Sequence, residues 1–237
     1  MIPNIEREAL KRGITRLCHF TPSRNLGQIL SGKVGILSTR KLQEDERTVF
    51  TPTDLQRLDG FPDHISCSIE YPNAWYFDKA RSKDVLFKDW VILFIDTKYL
   101  WLDGTKFCPR NAASSRGAQV AGGESAFKTL FEDSVSGAYG NRYSRTNRTL
   151  PCCPTDEQAE VLVPDVIAMG DILGVAVPTN EQAQNEVIRL KLMGVAEEFL
   201  RSLRFSVSPV LFEKYQLSAS LKKGERPFET PCEPEVS

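Results

Sequence analysis

The chain has 237 residues, 41% hydrophobic and 26% charged, which excludes collagen-like, coiled-coil and wholly disordered architectures and allows a sizeable core. Its 30 Lys and Arg stand against 31 Asp and Glu, a net charge of −1, so no whole-molecule field draws it to nucleic acid or acidic lipid, and a polyanion site has to come from local clustering. Six dispersed cysteines without a C-x-x-C pair and 2 histidines speak against a metal site, and apolar runs as short as Val91 to Ile95 cannot span a bilayer.

No apolar signal stretch opens the sequence, so a soluble, cytoplasmic protein with reduced thiols is expected. Residues 4 to 12 predict a short amphipathic helix, with Ile5, Ala9 and Leu10 opposite Glu6, Arg7, Lys11 and Arg12. Ile14 to Phe20 predicts a strand and Pro22 to Leu30 a helix closed by Gly32 and Gly35. Lys41 to Asp63, broken by Pro52, Gly60 and Pro62, predicts a long surface loop with at most a helical turn. Strands are expected at Ile65 to Tyr71 and at Val91 to Asp96, with Ala74 to Arg81 helical between them.

Asp103 to Gly123 has loop composition, and Ser125 to Asp133 has its apolar residues at helical spacing. Gly137 to Pro154 predicts a second long loop, locally basic through Arg142, Arg145 and Arg148 and interleaved with Tyr139 and Tyr143. Gln158 to Val163 predicts a short strand ended by Pro164, Val166 to Val177 one or two more, and Glu181 to Arg204 the longest helix. Residues from Ser218 are polar and Pro-rich, the composition of a disordered tail. The expectation is one α/β (α+β) domain over 1–217 with a tail over 218–237.

Phosphate-cradling glycine patterns are missing, since Gly122-Gly123 lacks the following Lys-Ser or Lys-Thr. Neither histidine sits near a Gly-flanked serine, which leaves a Ser-His-Asp hydrolase without support. What remains is a set of small polar clusters. In Cys18-His19-Phe20-Thr21, alternation puts His19 and Thr21 on one strand face, with Asn25 a helical turn on; the plain alternative is a strand-end histidine and an N-capping threonine. Asn111-Ala112-Ala113-Ser114 allows close backbone approach to a ligand, as many loops do. Gln158 and Glu160, two apart on a predicted strand, point the same way, into a site or into solvent.

Taken in order, His19-Phe20-Thr21 with Asn25, Ser68-Ile69-Glu70-Tyr71-Pro72-Asn73, Asn111-Ala112-Ala113-Ser114 and Gln158-Ala159-Glu160-Val161-Leu162-Val163-Pro164 resemble the DarT family of NAD-dependent DNA ADP-ribosyltransferases, toxins paired with an antitoxin that removes the mark. The resemblance implies an ADP-ribosyltransferase-like split mixed sheet with peripheral helices. It implies Glu160 as the catalytic acid, and His19, Thr21, Asn25 and Ser114 as residues that hold NAD, with no metal. Asn73, Arg81, Tyr139, Arg142, Tyr143, Arg145, Arg148 and Gln158 become candidates for holding single-stranded nucleic acid, with DNA favoured. In the thymidine-modifying branch an arginine is expected soon after Pro72, and the nearest here is Arg81. Gln158 can bond a base edge, and guanine offers an exocyclic amine, which favours guanine over thymine as acceptor. The rivals are an ADP-ribosyltransferase acting on RNA or protein, and a non-catalytic nucleic-acid-binding module.

Overall fold

The computed structural model describes residues 4–31, 34–44, 57–84, 87–137 and 140–233. The elements run α1 (Asn4–Arg12), β1 (Leu17–Pro22), α2 (Ser23–Ser31), β2 (Ile36–Leu37), α3 (Thr39–Glu44), β3 (His64–Ile69), α4 (Ala74–Lys83), β4 (Trp90–Ile95) and β5 (Lys106–Cys108). They continue with β6 (Ala121–Gly122), α5 (Gly123–Thr129), β7 (Ser134–Ser136), β8 (Arg142–Ser144), β9 (Glu160–Pro164), β10 (Val166–Ile167) and β11 (Ile172–Val177). The last are α6 (Asn180–Leu192), α7 (Glu197–Ser202), β12 (Phe205–Val207), α8 (Lys214–Lys223) and β13 (Thr230–Cys232).

Nine strands form one sheet in the order β13-β12-β11-β4-β1-β3-β9-β5-β6. All its pairings are antiparallel except β11 with β12, so the sheet is mixed. Strand β4, Trp-Val-Ile-Leu-Phe-Ile, is buried along its whole length, as an apolar, β-branched run between two neighbours should be. Each such side chain taken from water stabilises by about 1.5–3 kcal/mol, which makes β4 the anchor of the sheet. Phe20, Phe77, Trp90 and Phe212 pack ring to ring and join β1, α4 and β4 to the turn before α8.

The feature that positions the site is a split. Strand β1 pairs with β4 along all of Leu17 to Pro22, but with β3 only at Leu17↔Ile69 and Cys18↔Ser68. Beyond Cys18 the two halves of the sheet part, and β3 continues instead with β9.

Several expectations are corrected. The helix expected from Glu181 to Arg204 is two helices, because Gly194 takes φ +78° and ends the first. The loop expected from Asp103 to Gly123 contains β5 and β6, and the basic loop contains β8, which pairs with β7. Strand β9 starts at Glu160 rather than Gln158, because the Asp156 carboxylate takes the Gln158 N–H at 2.8 Å and holds a turn there. Most of the long loop after Lys41 lies outside the described residues. The tail expected to be disordered is ordered to Glu233. Its buried Ser218 belongs to α8, and β13 pairs with β12.

Candidate functional site

Glu160 opens β9 beside the split, opposite Cys108 of β5. Its side chain is buried, and Oε1 accepts from Asn111 Nδ2 at 2.8 Å. Asn111 starts a 3-10 turn over Ala112–Ser115, so the small-residue segment supplies the donor that aims the acid. The amide donor fixes the orientation of the carboxylate. Its charge bears on the neighbouring Cys67 and Cys108 thiols, both pushed up by burial first and by Glu160 among the further causes.

His19 stands where β1 leaves β3, and its Nδ1 lies 2.9 Å from the Ser66 carbonyl. A carbonyl only accepts, so Nδ1 carries the proton and donates, leaving Nε2 of the neutral ring as an acceptor. Burial, with the charge of Arg57 in the same sense and the Ser66 hydrogen bond opposing, holds the imidazole below its ordinary value. Thr21 is buried, and its Oγ1 accepts from Asn25 Nδ2 at 2.9 Å, which leaves the hydroxyl proton to be donated elsewhere. The expected trio thus gives one acceptor and one donor on one strand, with Asn25 supporting Thr21 from helix α2.

Ser114 Oγ donates to the Asn111 carbonyl at 2.6 Å and accepts from Arg110 Nε at 2.8 Å. Arg110, nearly buried, also reaches the Ser136 carbonyl at 3.4 Å. Asp156, four residues before the acid, is buried too, and burial pushes its carboxyl up to about 6.

Arg110 and Arg57 are two further charged residues of the candidate site. Arg57, at φ +38°, donates to Asp59 and to the Phe61 carbonyl at 2.5 Å. Gly117, at φ +76°, packs so tightly on the Asp59 carbonyl that a Cβ would collide with it. The Arg57 turn therefore rests on the end of the 112–117 segment, and the Arg57 charge acts on His19. No periodic pattern marks these residues, since each works through a turn.

The substrate candidates divide. Arg142 on β8 is exposed, with Nε donating to Ser134 Oγ at 3.1 Å, and Tyr143 beside it is exposed. Arg148 is exposed as well. Arg145 turns inward instead: it donates to the Cys153 and Leu150 carbonyls at 2.7 and 3.0 Å and to Thr155 Oγ1 at 3.3 Å. It clamps the loop rather than facing a ligand. Arg81 pairs with Asp78 and Glu213 at 3.6 Å and stacks over Phe77 on α4, so it fastens α4 to the start of α8. Asn73 is the N-cap of α4 through Tyr76 N–H, with its Nδ2 buried and unpartnered. Gln158 sits in the turn before β9. Tyr139 lies outside the described residues. Among the described residues, no three His, Cys, Asp or Glu side chains are grouped to hold a metal ion, and no helix is long and apolar enough to cross a membrane.

The family model described as ssDNA thymidine ADP-ribosyltransferase, DarT, matches residues 18–202. Among solved structures, Thermosipho africanus DarTG in complex with ADP-ribose is similar at a TM-score of 0.56 and 16% identity, over 84% of this chain and 51% of that one. Thermus sp. 2.9 DarT in complex with ADP-ribosylated ssDNA gives a TM-score of 0.52 at 13% identity, over 84% and 97%. The same Thermus protein in complex with NAD+ gives 0.48 at 16% identity, over 75% and 90%. The chain thus spans about half the length of the Thermosipho chain. The first two likenesses show the shared fold, a large mixed sheet with peripheral helices. No curated protein matches the chain.

Proposed function

The chain belongs to the DarT family of single-stranded-DNA ADP-ribosyltransferases, NAD-dependent enzymes, and from that premise we propose that it transfers ADP-ribose from NAD to a nucleobase in single-stranded DNA, releasing nicotinamide. The observation that carries this reading is Glu160, buried at the split and aimed by Asn111 at 2.8 Å. His19 and Thr21 stand across that split. Breaking the bond between nicotinamide and ribose C1′ leaves an oxocarbenium cation, which a fixed carboxylate stabilises far better in a dry site than in water. In this reaction Glu160 also takes the proton that the attacking base gives up.

The pair on β1 suits the nicotinamide riboside end of NAD. His19 Nε2 accepts from a hydroxyl or amide N–H, and the Thr21 hydroxyl donates to a carbonyl. Ser114 and the backbone around it supply the approach on the other side. Arg142, Tyr143 and Arg148 form the exposed basic and aromatic edge that an unstacked strand needs. The Thermosipho relative is a DarTG, which supports a role as the toxin of a pair, with an antitoxin partner that removes ADP-ribose. The residues described contribute to one domain with its C-terminal segment included, working in the cytoplasm.

For the acceptor base, the family description names thymidine. Guanine is the second reading, favoured by the Gln158 amide two residues before the acid and by the engagement of Arg81 elsewhere. Labelled NAD offered with separate DNA, RNA and protein acceptors, followed by mass spectrometry of the digested nucleosides, tests both levels. Label on single-stranded DNA supports the reading, and the modified nucleoside names the base. Label on protein alone overturns it.

A further inference from the structure

A groove of about 360 Å³ opens between β5, β6, α5 and β7. Pro109, Ala121 and Ala126 supply apolar lining, while Thr129, Glu132 and Ser134 supply polar groups. Three consecutive residues join it to the catalytic acid. Pro109 lines it, Arg110 donates to the carbonyl of Ser136 on its wall at 3.4 Å and to Ser114 at 2.8 Å, and Asn111 donates to Glu160 at 2.8 Å. Successive Cα atoms lie about 3.8 Å apart, so the Pro109 wall stands within about 8 Å of the residue that aims the acid.

The chemistry of the groove fits one occupant. Its volume takes a purine or pyrimidine ring, and its apolar lining takes the ring's faces. Arg142 is moored to Ser134 at 3.1 Å, which fixes an exposed guanidinium at the rim where a strand's phosphate passes. Glu132 is exposed in the same lining, and an ionised carboxylate only accepts hydrogen bonds. Adenine, cytosine and guanine each carry an exocyclic amine that can donate to it, whereas thymine presents carbonyl oxygens in those places.

Resting on the reading of the chain as an enzyme that modifies single-stranded DNA, we propose that this groove holds the nucleobase adjacent to the modified one. Glu132 there selects a base with an exocyclic amine over thymine. The groove is then the element that sets sequence context, and Arg110 couples it to the cofactor side.

Single-turnover transfer from NAD to oligonucleotides with one acceptor base, and each of the four bases placed in turn on either side of it, tests the assignment. The wild type is expected to favour amine-bearing bases over thymine roughly tenfold at one flanking position. Glu132→Gln, whose amide donates as well as accepts, closes that gap. Ala121→Trp, at an exposed position of β6, fills the groove and removes the preference. Flanking ratios that are flat in the wild type, or unchanged in both variants, overturn the proposal while transfer to DNA still stands. A wild type that labels protein and no oligonucleotide overturns the reading beneath it, which is a separate result.

Discussion

At the scale of single residues the candidate site turns on Glu160 and the Asn111 amide that aims it. Replacing Glu160 with Gln keeps the shape and the contact with Asn111 but removes the charge that faces the cation, so transfer should fall by about a hundredfold or more with the melting temperature unchanged. Near-full turnover by a folded variant would end the assignment. Asn111 acts through Glu160, and a hydrogen bond to a charged group is worth about 1.5–3 kcal/mol. Asn111→Ala should therefore cost roughly ten- to a hundredfold in kcat. Asn111→Asp places two carboxylates together and should move the acid limb of the pH–rate profile upward, a shift that a purely structural role would not produce. His19 adds a pH dependence of its own. Its folded pKa lies below the ordinary 6.5, so the unfolded chain binds the proton at a higher pH than the folded one. The corresponding stability is present above about 6.5 and is lost as pH falls through the folded value. Protonation also occupies Nε2, the proposed acceptor. NAD affinity by calorimetry should hold steady through pH 6.5 and weaken only as pH falls through the lower folded value, and His19→Ala should be weak and flat across the same range.

At the scale of elements, the basic loop separates two kinds of arginine that the sequence shows as one. Arg145 satisfies three acceptors inside the loop, so Arg145→Ala should lower the melting temperature by several degrees. Arg142→Ala and Arg148→Ala should leave it in place and each flatten the log-log salt dependence of single-strand binding by about one unit. An unchanged melting temperature in Arg145→Ala would return that residue to the ligand face. Local composition made β1, β4 and α4 legible, β4 above all as an apolar, β-branched run buried along its whole length. Composition could not show that one of three spaced arginines turns inward, nor that the Asp156 carboxylate captures the Gln158 N–H and delays β9 to Glu160. Both depend on contacts with no period. Glu160, His19 and Thr21 were legible only in combination, through the order of their motifs, while Arg110 and Arg57 enter the site through turns that carry no pattern.

At the scale of the molecule, the split can persist only if the sheet stays closed below it, and the C-terminal segment is built into that closure. Composition hid this, since a polar, Pro-rich stretch differs little from a disordered tail until its charges find partners. Glu70, just past the last β1–β3 pairing, is buried at φ +64°. It accepts from the Thr15 N–H at 2.8 Å and from Arg226 at 3.2 Å, and its carbonyl accepts from Arg16 at 2.9 Å. Arg16 in turn pairs with Glu229 through both terminal nitrogens, with little exposure on either side, and stacks over Phe94. Four charges from the start of β1, the end of β3 and the C-terminal segment thus meet where the two halves of the sheet are still joined. Arg226 is about half in solvent, so its pair contributes less than the Arg16–Glu229 pair. Removing one partner of a largely buried pair leaves the other charge uncompensated, at a cost of about 3–5 kcal/mol. Ending the chain after Gly224 should therefore lower the urea midpoint clearly. Glu229→Gln should give a smaller loss, and high salt should compensate neither, because screening reaches buried pairs poorly. A chain ending at Gly224 that unfolds at the same urea concentration as the full chain would show that the segment lies on the sheet without holding it.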